Sequence, residues 1–385
     1  ESRGKFWRGR LILGWMLIAL FISLPWIQIN GKPAVFLNVL QREFTFFGLT
    51  LHPTDSIILM VFGLTVLISV FFFTALFGRV WCGWACPQTV YLEFVFRPIE
   101  RLIEGKETKR RRRDQKPMDY DKAWRKVLKF AVFFLISAAL AHTFVAYFAG
   151  WHNLLRFMGQ SPAEAPGYFL TMLLTTGLVL FDFGYFREQM CTITCPYARF
   201  QSVLMDENSL IVSYDPNRGE NRGTARARRL AEQHDAGPLS LENGTLTFGD
   251  CVDCFACVRT CPVGIDIRDG LQMECVSCTQ CIDACNDVMD AVGRPRGLIR
   301  YTSENAIKKK PTRVLRPRLI AYGIILLGLS TVLTGLILTR SPLEVDVARA
   351  RGTTYTMTAD GDVANRLRFR LRNRTGRKIQ ERRKI

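Results

Sequence analysis

Hydrophobic positions along this chain gather into long uncharged runs separated by short, strongly basic stretches. Five runs reach the roughly 20 mainly apolar residues that a membrane helix needs: 11–29, 57–78, 130–151, 167–186 and 319–339. The first, second and fifth carry no charge; His142 stands in the third and Asp182 near the end of the fourth. Soluble core helices rarely run this far without a charge, so the pattern predicts five transmembrane helices. The first run follows a basic start, ESRGKFWRGR, as a signal peptide would. It is too long for a signal core and no small-residue cleavage site follows, so it reads as a retained anchor. The chain opens without Met, and the first residues of the gene product are expected to precede it.

Loop charge orients the spans. Arg3, Lys5, Arg8 and Arg10 precede the first, KETKRRRRDQK (106–116) lies between the second and third, and 187–318 is rich in Arg. The only basic residues in 30–56 are Lys32 and Arg42, and in 152–166 only Arg156. The N-terminus and the even-numbered connections are therefore expected in the cytoplasm, and the C-terminal tail outside. The basic run 109–113 fits an anchor on anionic lipid better than a nucleic-acid site. Across 385 residues, 52 Lys and Arg against 34 Asp and Glu give a net charge of +18, with 48% hydrophobic residues. The mean hydropathy of +0.08 averages two kinds of segment. That bimodality excludes a single soluble globule, and the apolar content excludes a disordered chain.

Twelve cysteines are too sparse for a secreted disulfide scaffold. Eight form Cys251-x2-Cys254-x2-Cys257-x3-Cys261-Pro262 and, 24 residues later, Cys275-x2-Cys278-x2-Cys281-x3-Cys285, with Asn286 where Pro would stand. Such runs wrap three thiolates around one cubane and send the fourth to its neighbour. Cluster one then takes Cys251, Cys254, Cys257 and Cys285; cluster two takes Cys275, Cys278, Cys281 and Cys261. Zinc favours separated ligand pairs, and the reducing cytoplasm disfavours disulfides. Two [4Fe-4S] clusters in a small α+β ferredoxin unit are expected, with no substrate pocket of its own.

The other four cysteines form a second repeat, Cys82-x3-Cys86-Pro87 and Cys191-x3-Cys195-Pro196, offset by 109 residues. Each closes a helical hairpin at the same membrane edge and precedes an amphipathic stretch (88–104; 197–205). On one helix, positions i and i+4 share a face, and the Cys before Pro sits at a helix N-terminus that lowers thiol pKa. Two pairs together offer four soft ligands, suited to Cu(I), zinc or an iron–sulfur cluster, or a dithiol relay. Buried inert thiols are the plainer alternative. Trp81 and Trp84 read as membrane-belt residues. His142 and His152 read as packed rather than haem-ligating, while His52 and His234 carry little signal. Asp182 reads as snorkelling to the headgroups, with proton acceptance from a quinol as the alternative. Asn217-Arg218-Gly219-Glu220 is no glycine-rich fingerprint, so no flavin or nicotinamide site is visible.

This order of features resembles the cbb-type cytochrome oxidase accessory proteins (CcoG, FixG, RdxA) over nearly all of residues 1 to about 345. VWCGWACPQTVYLEFVFRPIERLIEG (80–105), CPYARFQSVLMDENSLIVSYDPNRGENRG (195–223) and CIDACNDVMDAVGRPRGLIRYTSEN (281–305) carry the likeness. A looser similarity, limited to the spans and clusters, extends to membrane quinol-dehydrogenase subunits of periplasmic nitrate reduction. The resemblance implies a bacterial inner-membrane protein that reduces Cu(II) to Cu(I) for oxidase assembly, with catalytic, copper-binding Cys82, Cys86, Cys191 and Cys195. Its implied partners are copper ions, oxidase assembly factors or a copper chaperone, and an unidentified electron donor. A quinol dehydrogenase and a non-enzymatic scaffold are the competing functions, and a homodimer is the default assembly. Members usually end in a periplasmic immunoglobulin-like domain, which needs about 100 residues, so an incomplete β tail is expected. The expected fold is an α-helical integral membrane protein of five transmembrane helices and two duplicated helical hairpins, with a cytoplasmic ferredoxin domain. Its parts are a four-helix membrane domain (1–205), a polar linker (206–245), the ferredoxin domain (246–305), a basic linker with the fifth helix (306–340), and the tail (341–385), with strands at 345–358 and 363–372.

Overall fold

The computed structural model describes residues 4–39, 41–105, 107–224, 226, 248–341, 343–349, 355–357, 362–364 and 367–373; His234 lies outside them. Among the described residues, five helices are long and apolar enough to cross a membrane: Lys5–Ser23, Ser56–Phe77, Tyr120–Ala149, Pro166–Phe186 and Pro317–Leu338. Leu135 and Leu173 stay 66% and 71% exposed on them, as lipid-facing side chains do and water-facing apolar patches do not. The first helix begins at Lys5 rather than Leu11 and stops at Ser23, because Pro25 disfavours helix in the residue before it. The third begins at Tyr120 rather than Phe130, its added polar turns stapled by Arg125 Nε to Asp121 at 2.8 Å.

The chain packs as two compact units. The first comprises residues 1–20, 67–140 and 173–326. Its cysteine-rich core gathers Cys251, Cys257 and Cys285 with Val212, Met289 and Leu298. Strand Ile211–Tyr214 pairs antiparallel with Ile299–Thr302, Ile211 opposite Thr302 and Tyr214 opposite Ile299. This corrects the expected linker, since residues 211–214 are buried and belong to the ferredoxin core. The strand is short and flanked by polar residues, so its apolar signal is diluted in the sequence. Asp283, on helix Gln280–Ala291, accepts from the backbone N–H of Phe6 and Trp7 at 3.3 and 2.8 Å, capping the first membrane helix.

The amphipathic stretch after Cys86 buries carboxylates as well as its apolar residues Val90, Leu92, Phe94 and Phe96: Glu93, Glu100 and Glu104 are each under 5% exposed. Glu93 pairs with Arg97 at 2.7 Å. Arg187 and Arg110 each reach Glu100 at 2.7 Å, and Lys129 reaches Glu104 at 2.9 Å. Burying one of these charges without its partner is costly, so the network fixes residues 93–104 against the ends of the third and fourth spans.

The second unit comprises residues 21–66, 141–172 and 327–385. A meander of Val35–Asn38, Glu43–Phe46 and Leu49–Leu51 buries Thr45 against Thr50, oxygens 3.2 Å apart. Asp55 pairs with Arg340. His142 packs edge-on to Tyr168, centroids 6.5 Å apart, and His152 lies on Trp151. The tail has strands at Leu343–Arg349 and Leu367–Asn373, paired antiparallel, and a shorter pair, Thr356–Met357 with Val363–Ala364.

Burial alone would push the Glu100 carboxyl up, but the Arg187 hydrogen bond and the Arg187, Arg110 and Lys129 charges hold it below the usual carboxylate range. Its stabilisation is present above the unfolded-state pKa and is lost as pH falls through the folded one. Glu100→Gln is expected to cost about 3–5 kcal/mol, read as a lowered Tm in detergent at neutral pH. Lys126→Met, which removes an exposed pair with Asp114, should cost under about 1 kcal/mol.

Candidate iron–sulfur and thiol centre

In the first cysteine run, Asp253 and Phe255 take left-handed φ values of 50° and 56°; at the matching positions of the second, Ser277 and Thr279 take 53° and 61°. These reversals curl each loop around its own thiols, and a helix then leaves at Ala256 or Gln280, again in matching positions. The first helix stops at Thr260, before Cys261-Pro262. The second runs on to Ala291, because Asn286 replaces Pro and its Oδ1 accepts from Gly297 N at 3.0 Å.

Cys251, Cys254, Cys257 and Cys285 line one cavity. Cys261, Cys275, Cys278 and Cys281 line a second, to which Cys257 also contributes. Each run thus sends its last cysteine to the other's cavity. Among the described residues, no three His, Cys, Asp or Glu side chains are close enough to hold a single metal ion. Eight free thiols spread around two adjacent cavities fit two polynuclear clusters and not zinc, whose ligands crowd to about 2.3 Å. Burial pushes the Cys257 thiol up to about 11 and those of Cys278 and Cys285 up to about 12. Loading the cavities with metal therefore releases protons. Arg268 lies 4.1 Å above the Phe255 ring, beside the first cavity, its charge matched by Asp253 and Asp266.

The two C-x3-C-P motifs come together. Cys82, Cys86, Cys191 and Cys195 all lie within electrostatic reach of one another. Within each motif, however, the two cysteines do not share a helical face. Helix Val80–Trp84 ends before Cys86, which is extended at φ −63°, ψ 127°. Cys195 is likewise extended at φ −68°, ψ 110°. Proline is the cause, because it drives the preceding residue out of the helical region. Both breaks close alike: Cys86 N donates to Trp81 O at 2.9 Å and Cys195 N to Met190 O at 2.8 Å. Among the described residues, no three of these thiols are gathered closely enough to hold a single ion either.

The expected lowering of the Cys86 pKa is also overturned. Burial raises it, outweighing hydrogen bonds from the Gln88 and Thr89 backbone. Burial likewise pushes Cys82 up to about 11, against the nearby Arg79 guanidinium, and Cys191 up to about 12. Each motif braces the other. Cys82 Sγ donates to Gln201 Oε1 at 2.9 Å. Gln88 Nε2 donates to Asp182 Oδ1 at 3.0 Å, so Asp182 is engaged beside the thiols rather than snorkelling.

The quartet sits directly on the second cluster cavity. Cys82 packs with Val276 and Cys278, and Cys191 packs against the same group. A Cβ on Gly83 would lie 2.6 Å from the carbonyl oxygens of both Val276 and Ser277, so only glycine allows this approach. Arg10, 1% exposed inside the first membrane helix, donates from Nε to Gly83 O at 2.8 Å. Trp84 is no belt residue: its Nε1 donates to Tyr301 OH at 3.0 Å. Arg79, Gly83, Gln88, Gln201 and Tyr301 were not singled out from the sequence, and Arg10 was read there only as a basic residue ahead of the first span.

Comparison with known proteins gives the same outline. The 4Fe-4S dicluster domain matches residues 186–304, a 4Fe-4S binding domain matches 59–109, and the IG-like fold at the C-terminal of FixG matches 333–382. Protein RdxA of Cereibacter sphaeroides is 35% identical over 381 residues, covering 94% of this chain and 76% of RdxA. Nitrogen fixation protein FixG of Rhizobium meliloti is 34% identical, covering 97% of this chain and 76% of FixG. Protein RdxB of Cereibacter sphaeroides is 34% identical, covering 97% and 78%. No solved structure matches. With its apolar helices and 4Fe-4S domains, the chain belongs to the RdxA/FixG family as a membrane iron–sulfur electron-transfer protein.

Proposed function

We propose that this protein is a bacterial inner-membrane reductase that converts Cu(II) to Cu(I) at the four C-x3-C-P thiols. The observation that carries this reading is the seating of Cys82 and Cys191 on the Cys278 loop, backbone to backbone at Gly83. Cys251, Cys254, Cys257 and Cys285 hold one [4Fe-4S] cluster, and Cys261, Cys275, Cys278 and Cys281 the other. Loaded, these cavities supply single electrons, and reduction of Cu(II) to Cu(I) consumes one. The basic N-terminus and the 106–116 loop support a cytoplasmic side for the thiols, with the β tail periplasmic.

Copper is the substrate in this reading, not a resident ion. Thiolates favour Cu(I) over Cu(II), which raises the potential of the couple and draws the electron to copper. Arg79 favours the thiolate at Cys82, while burial raises the Cys82, Cys86 and Cys191 thiols, so copper binding there releases protons. The family's cbb-type oxidase connection makes a copper chaperone or oxidase assembly factor the acceptor. A second reading, quinol oxidation, is favoured by an apolar cavity of about 310 Å³ lined by Phe73, Phe77 and Trp81. The Tyr197 hydroxyl at its wall is bonded to Thr74 and Gln201.

Serine at both Cys82 and Cys86, or at both Cys191 and Cys195, should abolish anaerobic Cu(II) reduction while dithionite still bleaches both clusters. Retained copper reduction would reject the thiol site, and quinol-driven bleaching without copper reduction would favour the second reading. Gly83→Ala should cost about 1–3 kcal/mol through overpacking. It should also slow copper reduction in stopped flow with cluster iron content unchanged.

A further inference from the structure

A cavity of about 550 Å³ opens beside Cys261, where the ferredoxin unit meets residues 97–110. The ligand-sized range is about 300–1,000 Å³. Five arginines line it, Arg97, Arg101, Arg110, Arg187 and Arg259, against Glu100 and Glu188. The two carboxylates offset only part of this charge and hold three of the guanidinium groups in place. Glu100 holds Arg110 and Arg187, each at 2.7 Å, and Glu188 pairs with Arg97. Forks fixed in this way recognise phosphate oxygens. Arg259 is exposed and has no ion pair among the described residues. The opposite wall is Val258, Pro262 and Val263, continuous with the Cys261 loop. Thr260 Oγ1, also in the wall, is buried without a hydrogen-bond partner.

We propose that this cavity is the electron entry port and binds a phosphate-bearing reduced flavin, with its phosphate on the arginines and its ring against Pro262 and Val263. The chemistry selects the class. A nicotinamide gives up a hydride, which a one-electron cluster cannot accept, and a quinol carries no phosphate for the arginines. A flavin mononucleotide has the anion, a flat ring and the ability to give electrons singly. The reduced flavin, deprotonated at N1, loses two electrons in succession and the proton on N5. Each electron is taken up by a cluster at the Cys261 cavity, the proton goes to water, and no bond to the protein forms. This rests on the iron–sulfur part of the proposed function and not on copper.

The test uses the full chain, cluster-loaded, in phosphatidylcholine nanodiscs. Equilibrium dialysis against flavin mononucleotide should give saturable binding of one per chain. Affinity should fall roughly tenfold or more in Arg259→Glu and in Arg101→Glu, and for riboflavin, which lacks the phosphate. It should be unchanged in Arg42→Glu, an exposed site in the other unit. Photoreduced flavin mononucleotide should bleach the clusters anaerobically in the parent chain, and roughly tenfold more slowly in Arg259→Glu. Absence of saturable binding, equal binding of riboflavin, or bleaching by decylubiquinol but not by reduced flavin would overturn the proposal. So would loss of flavin binding in phosphatidylglycerol nanodiscs, which would assign the arginines to a lipid headgroup. Failure of dithionite itself to bleach would reject the iron–sulfur reading, while the dialysis still decides the cavity.

Discussion

At Gly83 two backbones meet with no side chain between them, and the arrangement of the redox centre follows from that contact. Any Cβ there would press on the Val276 and Ser277 carbonyl oxygens. Holding a membrane-edge turn this close to a cluster-binding loop takes anchoring on both sides. Arg10 reaches across from the first span to the Gly83 carbonyl. Asp283 caps the start of that same span. The first membrane helix thus acts as a strut between the thiol motif and the cluster module.

The buried acid–base network has a complementary role. Residues 93–104 follow Cys86 directly, and their carboxylates are held by cations from the start of the third span and the end of the fourth. This ties the first C-x3-C-P motif to the segment that carries the second. The direct exchanges, Gln201 to Cys82 and Gln88 to Asp182, finish the alignment. Two motifs far apart in sequence therefore behave as one site.

Much of this was legible in the sequence, for identifiable reasons. Spans announce themselves through length and lack of charge, and the eight-cysteine repeat anticipates both how its thiols divide between two cavities and its paired loop reversals. What was hidden depends on contacts between distant segments. The 211–214 strand shows its apolar character only in four residues, and it is buried only because 299–302 lies beside it. The i, i+4 reading of the cysteine pairs failed because proline governs the residue before it, a local rule that outweighs helical periodicity. The arginine-lined cavity has no motif at all, since segments far apart in sequence, around Arg97, Arg187 and Arg259, each supply a part.

The exchange of the last cysteine between the two runs constrains how the protein is made. Synthesis delivers Cys251, Cys254 and Cys257 first, but their cavity lacks its fourth wall until Cys285 emerges. The covering strand pair closes only once 299–302 has followed. The second cavity, by contrast, has all four of its thiols once Cys281 has followed Cys261. A nascent chain halted between residues 281 and 285 would carry four thiols for the second cavity and only three for the first.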